Sequence, residues 1–155
     1  MIRIIAAVAS NGVIGKDGSL PWGRSYPEDL KRFKNLTSAD PDSTLLVGRE
    51  TFKSMGVLAN RRIAVLSRRG FHAKGAHVYS SLEEALDAEQ GDIWVGGGRP
   101  VYEATMPLAH ELYITHIHEP YEGDTYFPSI GRDWKVHNEE VHENLTFTTY
   151  TRNSQ

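Results

Sequence analysis

The sequence predicts an α/β domain built on a mainly parallel sheet. Three observations support this. Short apolar runs rich in β-branched residues recur along the first 120 positions. Helix-compatible stretches separate them, and the runs are bounded by glycine rather than alternating with polar residues. Uninterrupted apolar strands of this kind are covered on both faces, as in a parallel sheet. Strand–helix alternation gives the architecture.

In chain order, the first strand is Ile2 to Ala9, an apolar run too short to span a bilayer and without a cleavage pattern. Residues 11–20 follow as a long glycine-containing loop, a length that signals a mobile functional connection. A helix is predicted from Pro27 to Leu36, with proline in its first turn. Thr44 to Val47 is a strand running through Gly48 into a helix from Arg49 to Met55. Ile63 to Ser67 is a further strand. Ser81 caps a helix from Leu82 to Ala88, since its hydroxyl can bond a free N–H of the first turn. Ile93 to Val95 leads through Gly96, Gly97 and Gly98 into a helix from Pro100 to Met106, which Pro107 stops. Leu112 to Ile117 is another strand. Trp134 to Glu140 and Leu145 to Thr151 form a hairpin on an antiparallel edge.

A chain of 155 residues suits one domain, residues 1–155, with a semi-independent lobe at about 40–90. The composition, 39% hydrophobic and 24% charged, is that of a globular protein. A net charge of -3 provides no electrostatic case for nucleic-acid or membrane binding. The absence of cysteine excludes disulfides, thiolate metal sites and cysteine nucleophiles, and fits a reducing cytoplasm. His116 and His118 share a strand face but lack an evident third ligand, so no metal is expected. A monomer is the expected state.

One carboxylate stands out. Asp29 lies in the first turn of the helix that starts at Pro27, and Phe33 is four residues on, on the same face. Leu30 and Phe33 supply apolar neighbours and Trp22 precedes the helix. Burial there disfavours the charged form, which makes Asp29 a candidate proton donor. The alternative is an acid placed only to suit the helix dipole.

The glycine triplet Gly96-Gly97-Gly98 before Arg99 and Pro100 joins a strand to a helix start. Such a junction can hold phosphate on backbone N–H groups, or can be a tight structural turn. It is not the G-x-G-x-x-G fingerprint, because Val101 stands where the third glycine would be. Gly48-Arg49-Glu50-Thr51 has the same form, and Ser67-Arg68-Arg69 ends a third strand. If these strand ends are neighbours, two glycine junctions suit a pyrophosphate and the arginines a third phosphate. NADP carries that inventory.

These segments, together with Val13-Ile14-Gly15, Leu20-Pro21-Trp22, Ser54-Met55-Gly56, Leu112 to Ile117 and Gly123 to Pro128, closely resemble the bacterial type of the dihydrofolate reductase family over almost the whole chain. The resemblance implies an eight-stranded sheet with four helices and NADPH-dependent hydride transfer to C6 of dihydrofolate, with protonation at N5, supplying one-carbon and thymidylate metabolism. It implies that Asp29 binds the pterin N3 and 2-amino group, that Thr115 bonds the carboxylate, and that Trp22 positions water and the loop. Ile5, Ala6, Leu30, Phe33, Met55, Leu58 and Val95 would line the substrate pocket, and Arg61 would grip the glutamate tail, with Arg62 as the alternative. Ala7, Ile14, Gly15, Leu20 and Tyr102 would lie at the nicotinamide. Gly48, Arg49, Glu50, Thr51, Leu66, Ser67, Arg68 and the turn Gly96, Gly97, Gly98 and Arg99 would hold the rest of the cofactor. A cis peptide would fall at Gly96-Gly97, and the Glu50 side chain would point away from the phosphates. Antifolates would be inhibitors. Two other readings are a pyrimidine reductase of riboflavin synthesis and a non-catalytic nucleotide-binding protein of the same fold.

Overall fold

A computed structural model describes residues 1–56, 58–70 and 72–153. The expected lobe at 40–90 includes Val57 and Phe71, which lie outside them. An eight-stranded sheet forms the centre. Its strands are β1 (Ile2–Val8), β3 (Thr44–Gly48), β4 (Arg62–Leu66), β5 (His77–Tyr79), β6 (Ile93–Val95), β7 (Glu111–Ile117), β9 (Trp134–Val141) and β10 (Leu145–Arg152). They lie in the order β5-β4-β3-β6-β1-β7-β10-β9. The pairs from β5 to β7 are parallel, and β10 is antiparallel to both β7 and β9. A separate small ribbon pairs β2 (Val13–Gly15) with β8 (Thr125–Tyr126). The expected architecture is therefore observed. Three short strands, β2, β5 and β8, were not evident in the sequence pattern. Part of the expected loop at 11–20 is thus a strand.

Four helices flank the sheet: α1 (Pro27–Ser38), α2 (Arg49–Met55), α3 (Leu82–Ala88) and α4 (Arg99–Thr105). Helix α1 runs past Leu36 because Thr37 Oγ1 and Ser38 Oγ bond back to the carbonyls of Phe33 (2.7 Å) and Lys34 (2.5 Å). Helix α3 is capped as expected, with Glu84 N donating to Ser81 Oγ at 3.2 Å. Helix α4 starts one residue early, at Arg99, and a 3-10 turn at Met106–Leu108 carries Pro107.

Strand alternation divides the core into two layers. Ile5, Leu45, Val47, Ile63, Val65 and Trp94 face one side, where Phe33 and Leu36 of α1 and Phe52 and Met55 of α2 pack against them. Ile4, Ala6, Val8, Leu46, Ala64, Ile93, Val95, Leu112 and Ile114 face the other side, under Ala85 of α3 and Val101 and Tyr102 of α4. A third cluster joins Trp22 and Tyr26 to Val13, Ile117, Leu145 and Phe147 beside the ribbon.

One buried carboxylate fastens the β3–β4–β5 edge. Glu89, just after α3, is 5% exposed. It accepts from Arg62 Nε and Nη2, from Tyr79 Oη, and from Thr44 Oγ1 at 2.8 Å, so three strands meet on one side chain. The Arg62 hydrogen bond, opposed by burial and helped by Tyr79 and Thr44, holds the carboxyl down at about 2. A depressed acid stabilises the fold above the ordinary glutamate range, and that contribution is lost as the pH falls through the folded value. Glu89→Ala should therefore lower unfolding free energy at pH 7 by about 3 kcal/mol, because it leaves Arg62 without its anion. Urea titration should show the gap from wild type narrowing below about pH 4.

Candidate active site

Asp29 sits in the first turn of α1, and Thr115 on β7 reaches it across the layer. Thr115 Oγ1 donates to Asp29 Oδ1 at 2.6 Å, linking positions 86 apart in sequence. Thr115 is buried, and its β1 neighbour in register is Ala7, just as Ile5 neighbours Tyr113. Burial pushes the Asp29 carboxyl up, while the Thr115 hydroxyl and the Arg32 charge pull it back and Glu28 adds to the rise. The acid is thus poised by opposing effects rather than simply neutralised.

Ile5, Phe33, Met55 and Leu58 fall in one apolar cluster on the α1/α2 face, and Leu30 is half-buried beside Asp29 in the helix. Two expected lining residues do not join them. Val95 is fully buried on the opposite face, level with Ile4 and Leu46 in the register. Ala6 also points to that face, so its side chain packs in the other core layer. The correction follows from strand alternation. At the end of β6 the residue facing Phe33 is Gly96, where an added Cβ would lie 3.0 Å from Leu45 Cδ1, 3.3 Å from Val47 Cγ1 and 3.8 Å from Phe33 Cε2.

The glycine junctions are neighbours. Gly48 N donates to Gly97 O at 2.8 Å and Gly96 N to Leu46 O at 2.9 Å, because β3 lies between β6 and β4. The cis peptide is at Gly97-Gly98, one bond later than expected at Gly96-Gly97. Pro100 lies in the first turn of α4, which begins at Arg99. Gly97 has φ +121°, and a Cβ there would lie 3.4 Å from both Thr51 Oγ1 and Tyr102 Oη. Only glycine fits this conformation and this approach.

Around this turn, Arg49 opens α2, Ser67 is buried at the end of β4 beside Leu66, and Arg68 is exposed immediately after it. Glu50 lies in solvent, 4.0 Å from Lys53, so its charge points away from the turn. Arg99 is drawn aside: it pairs with Glu103 and donates through Nη1 to the Tyr126 carbonyl at 3.1 Å. Tyr102 Oη donates to the Ile5 carbonyl at 2.9 Å, and burial raises its phenol. The two adjacent glycine junctions, the open backbone at Gly97 and the arginines at neighbouring strand ends fit a dinucleotide phosphate with a further monoester.

Arg61 and Arg62 have separate tasks. Arg62 belongs to the Glu89 cluster, whereas Arg61 leans toward α1, with Nη1 3.3 Å from Thr37 Oγ1 and Nε 3.1 Å from the Ala59 carbonyl. Burial lowers the Arg61 value.

The segment around Ile14 and Gly15 rests on residues 123–126. Asp124 N donates to the Gly15 carbonyl and Asp17 N to Asp124 Oδ2, each at 3.0 Å. A Cβ at Gly123 would lie 2.4 Å from Gly15 O, so the contact needs glycine. Leu20 is 44% exposed beyond this ribbon. Trp22 is buried against Tyr26 and Tyr121, whose hydroxyls lie 2.7 Å apart, with Tyr26 Oη also 3.3 Å from Glu119. Sequence reasoning missed Arg32, Tyr26 and Tyr121, and placed Gly96 in the cofactor turn without its contact to the Phe33 face. The aromatic pair has no local signal, since its members lie 95 positions apart. Arg32 could have been found from its i, i+3 spacing to Asp29. His116 and His118 are engaged in hydrogen bonds with Tyr150 and Thr146, each at 2.8 Å.

Fold and site together define a reductase-type α/β protein, with two adjacent glycine junctions at the carboxyl ends of a parallel sheet and a half-buried acid on α1. The dihydrofolate reductase family model matches residues 1–152, and the chain belongs to that family. It is 40% identical over 141 residues to dihydrofolate reductase of Bacillus subtilis, covering 88% of this chain and 81% of that protein. It is 41% identical over 140 residues to the type 5 dihydrofolate reductase of Escherichia coli, covering 87% and 86%. Among solved structures, the dihydrofolate reductase from Enterococcus faecalis, complexed with NADP(H) and RAB-propyl, superposes with a TM-score of 0.89 at 39% identity, covering 99% of this chain and 97% of that one.

The raised Asp29 carboxyl stabilises the fold in acid, and that contribution is lost as the pH rises through its folded value. Asp29→Asn keeps an acceptor for Thr115 and removes the buried charge. Its unfolding midpoint should rise relative to wild type at pH 8, by about 2–4 °C per kcal/mol relieved, and the difference should shrink at pH 4. Thermal melts at the two pH values check this.

Proposed function

We infer that this chain reduces 7,8-dihydrofolate to 5,6,7,8-tetrahydrofolate with NADPH. Support comes from family membership over residues 1–152 and from relatives that carry the dihydrofolate reductase name. The observation that carries the reading is the Asp29–Thr115 pair, a single half-buried acid on the wall formed by Ile5 and Phe33. The same support favours this activity over a pyrimidine reductase, which would not need that acid.

NADPH, when bound, supplies the hydride. Gly48, Thr51, Gly97, Gly98 and Ser67 would hold its phosphates by backbone and hydroxyl groups, and Arg49 and Arg68 would bind the monoester. Ala7 and Ile14 would offer backbone groups to the carboxamide, with Tyr102, Gly15 and Leu20 alongside. Leu66 and Glu50 are placed as flanking residues, and Arg99 as a support of the turn through Tyr126 rather than a phosphate ligand. Leu30, Phe33, Met55 and Leu58 would wall the substrate, Arg61 would take the tail carboxylate, and Ile5 and Ala6 would present backbone. The Asp29 carboxylate would accept from N3–H and the 2-amino group of the pterin. Thr115 fixes the carboxylate so that this pairing has one geometry. Anchoring the ring there favours a proton at N5, which makes C6 a better hydride acceptor. Buried Trp22 would exclude bulk water while leaving room to position an ordered one.

Loss of NADPH absorbance on adding dihydrofolate, blocked by methotrexate, tests the reading. No dihydrofolate-dependent loss overturns it. Asp29→Asn should keep NADPH binding and lose on the order of 100-fold or more in turnover. Arg49→Ala combined with Arg68→Ala should weaken NADPH binding much more than NADH binding in titrations of both. Equal weakening would remove the arginines from the monoester.

A further inference from the structure

Arg32 lies one helical turn beyond Asp29 on α1 and is half-buried. Its guanidinium carbon sits 4.5 Å from the ring centroid of Phe147 on β10 and 5.8 Å from that of Tyr113 on β7. Phe147 and Thr115 are partners in register, so the ring under Arg32 adjoins the residue that bonds Asp29. The guanidinium is therefore held in place by two aromatic faces from the sheet. Thr115 holds Oδ1 of Asp29, and among the described residues no ion pair within 4.0 Å joins Arg32 to that carboxylate.

We propose that Arg32 is a positioning residue for the pocket acid: parked on Phe147 and Tyr113, it supplies a fixed positive charge that keeps Asp29 in its ionised, ligand-anchoring form. The proposal rests on the reading of Asp29 as the pterin anchor and deepens it. A cation held nearby in a partly desolvated site favours the charged form of an acid without occupying its oxygens. The Arg32 charge acts on Asp29 in the expected direction, against burial and Glu28. Burial and the charge of Asp29 act on Arg32 in opposite senses, and Glu140 on β9 reinforces its charge from the other side. The groups facing this pair are Glu28 on α1, Tyr102 on α4, Tyr113 and Thr115 on β7, Glu140 on β9, and His142, which is 2.9 Å from Glu140 and edge-on to Phe147. Of these only Arg32 and His142 can carry positive charge, and Arg32 carries it at every working pH. Glu140 competes with Asp29 for that charge.

Two readouts test this. In protein labelled with carbon-13 at aspartate carboxyls, with the Asp29 resonance assigned from D29N, the Asp29 titration should move to higher pH in R32Q. It should stay close to wild type in R32K, which keeps the charge. In E140Q, which leaves α1 untouched, it should move to lower pH. The acid limb of kcat/KM for dihydrofolate should shift to higher pH in R32Q and not in R32K. An Asp29 titration unmoved in folded R32Q, or displaced equally by R32K, overturns the proposal. Where R32Q does not fold, an Asp29 titration unmoved or raised in E140Q overturns it. A wild type without dihydrofolate-dependent turnover overturns both the functional reading and this inference. A wild type that turns over and titrates, with R32Q unchanged, overturns this inference alone.

Discussion

The Thr115–Asp29 hydrogen bond is the contact on which the site is organised. It joins the first turn of a helix to the middle of a central strand, so the acid cannot move without α1 moving over the sheet. A short hydroxyl-to-carboxylate bond in a mostly apolar wall is charge-assisted and directional. It offsets part of the penalty for burying the acid and leaves the rest as a raised carboxyl. Thr115 can reach because β7 pairs with β1 in a register that places Ala7 beside it and Ile5 beside Tyr113. The acid, its hydroxyl partner and the apolar wall therefore descend from one strand pairing.

The cofactor side depends on a different pairing. Parallel contact of β3 with β6 brings Gly48 against Gly97, and contact with β4 brings Ser67 and Arg68 to the same end of the sheet. Nothing in the chain order makes these junctions adjacent, since they lie about fifty positions apart. Strand order does so. The carboxyl ends of parallel strands converge, and helix starts with free N–H groups follow. The two regions adjoin along the paired strands β6 and β1. Tyr102, bonded to the Ile5 carbonyl, ties α4 to that seam.

Much of this was legible in the sequence. Apolar runs located the long strands within a residue or two, and Ser81 and Gly48 marked helix starts that the structure retains. The misses have physical causes. Strands of two or three residues are too short to show any period. Thr37 and Ser38 read as a polar helix exit, yet their hydroxyls bond back into the helix and extend it. The cis bond fell one position later because three identical residues carry no register, and α4 took in Arg99 ahead of the expected Pro100 start. Val95, expected in the pocket lining, faces the other layer because strand alternation places it level with Ile4 and Leu46. Arg61 and Arg62 became distinguishable only through partners on α1 and after α3, contacts that neighbouring positions in sequence do not encode.

Helix α1 carries Asp29 near one end and Thr37, the residue on which Arg61 leans, near the other. Eight residues of helix span about 12 Å. The helix is thus a ruler laid along the pocket wall, with a carboxylate at one mark and a guanidinium beside the other. Under the proposed function, a ligand would be measured against it by the distance between its polar head and its anionic tail, as well as by the groups at each end. Any inserted or deleted turn in α1 would change the length that the pocket accepts before it changed the chemistry at either mark.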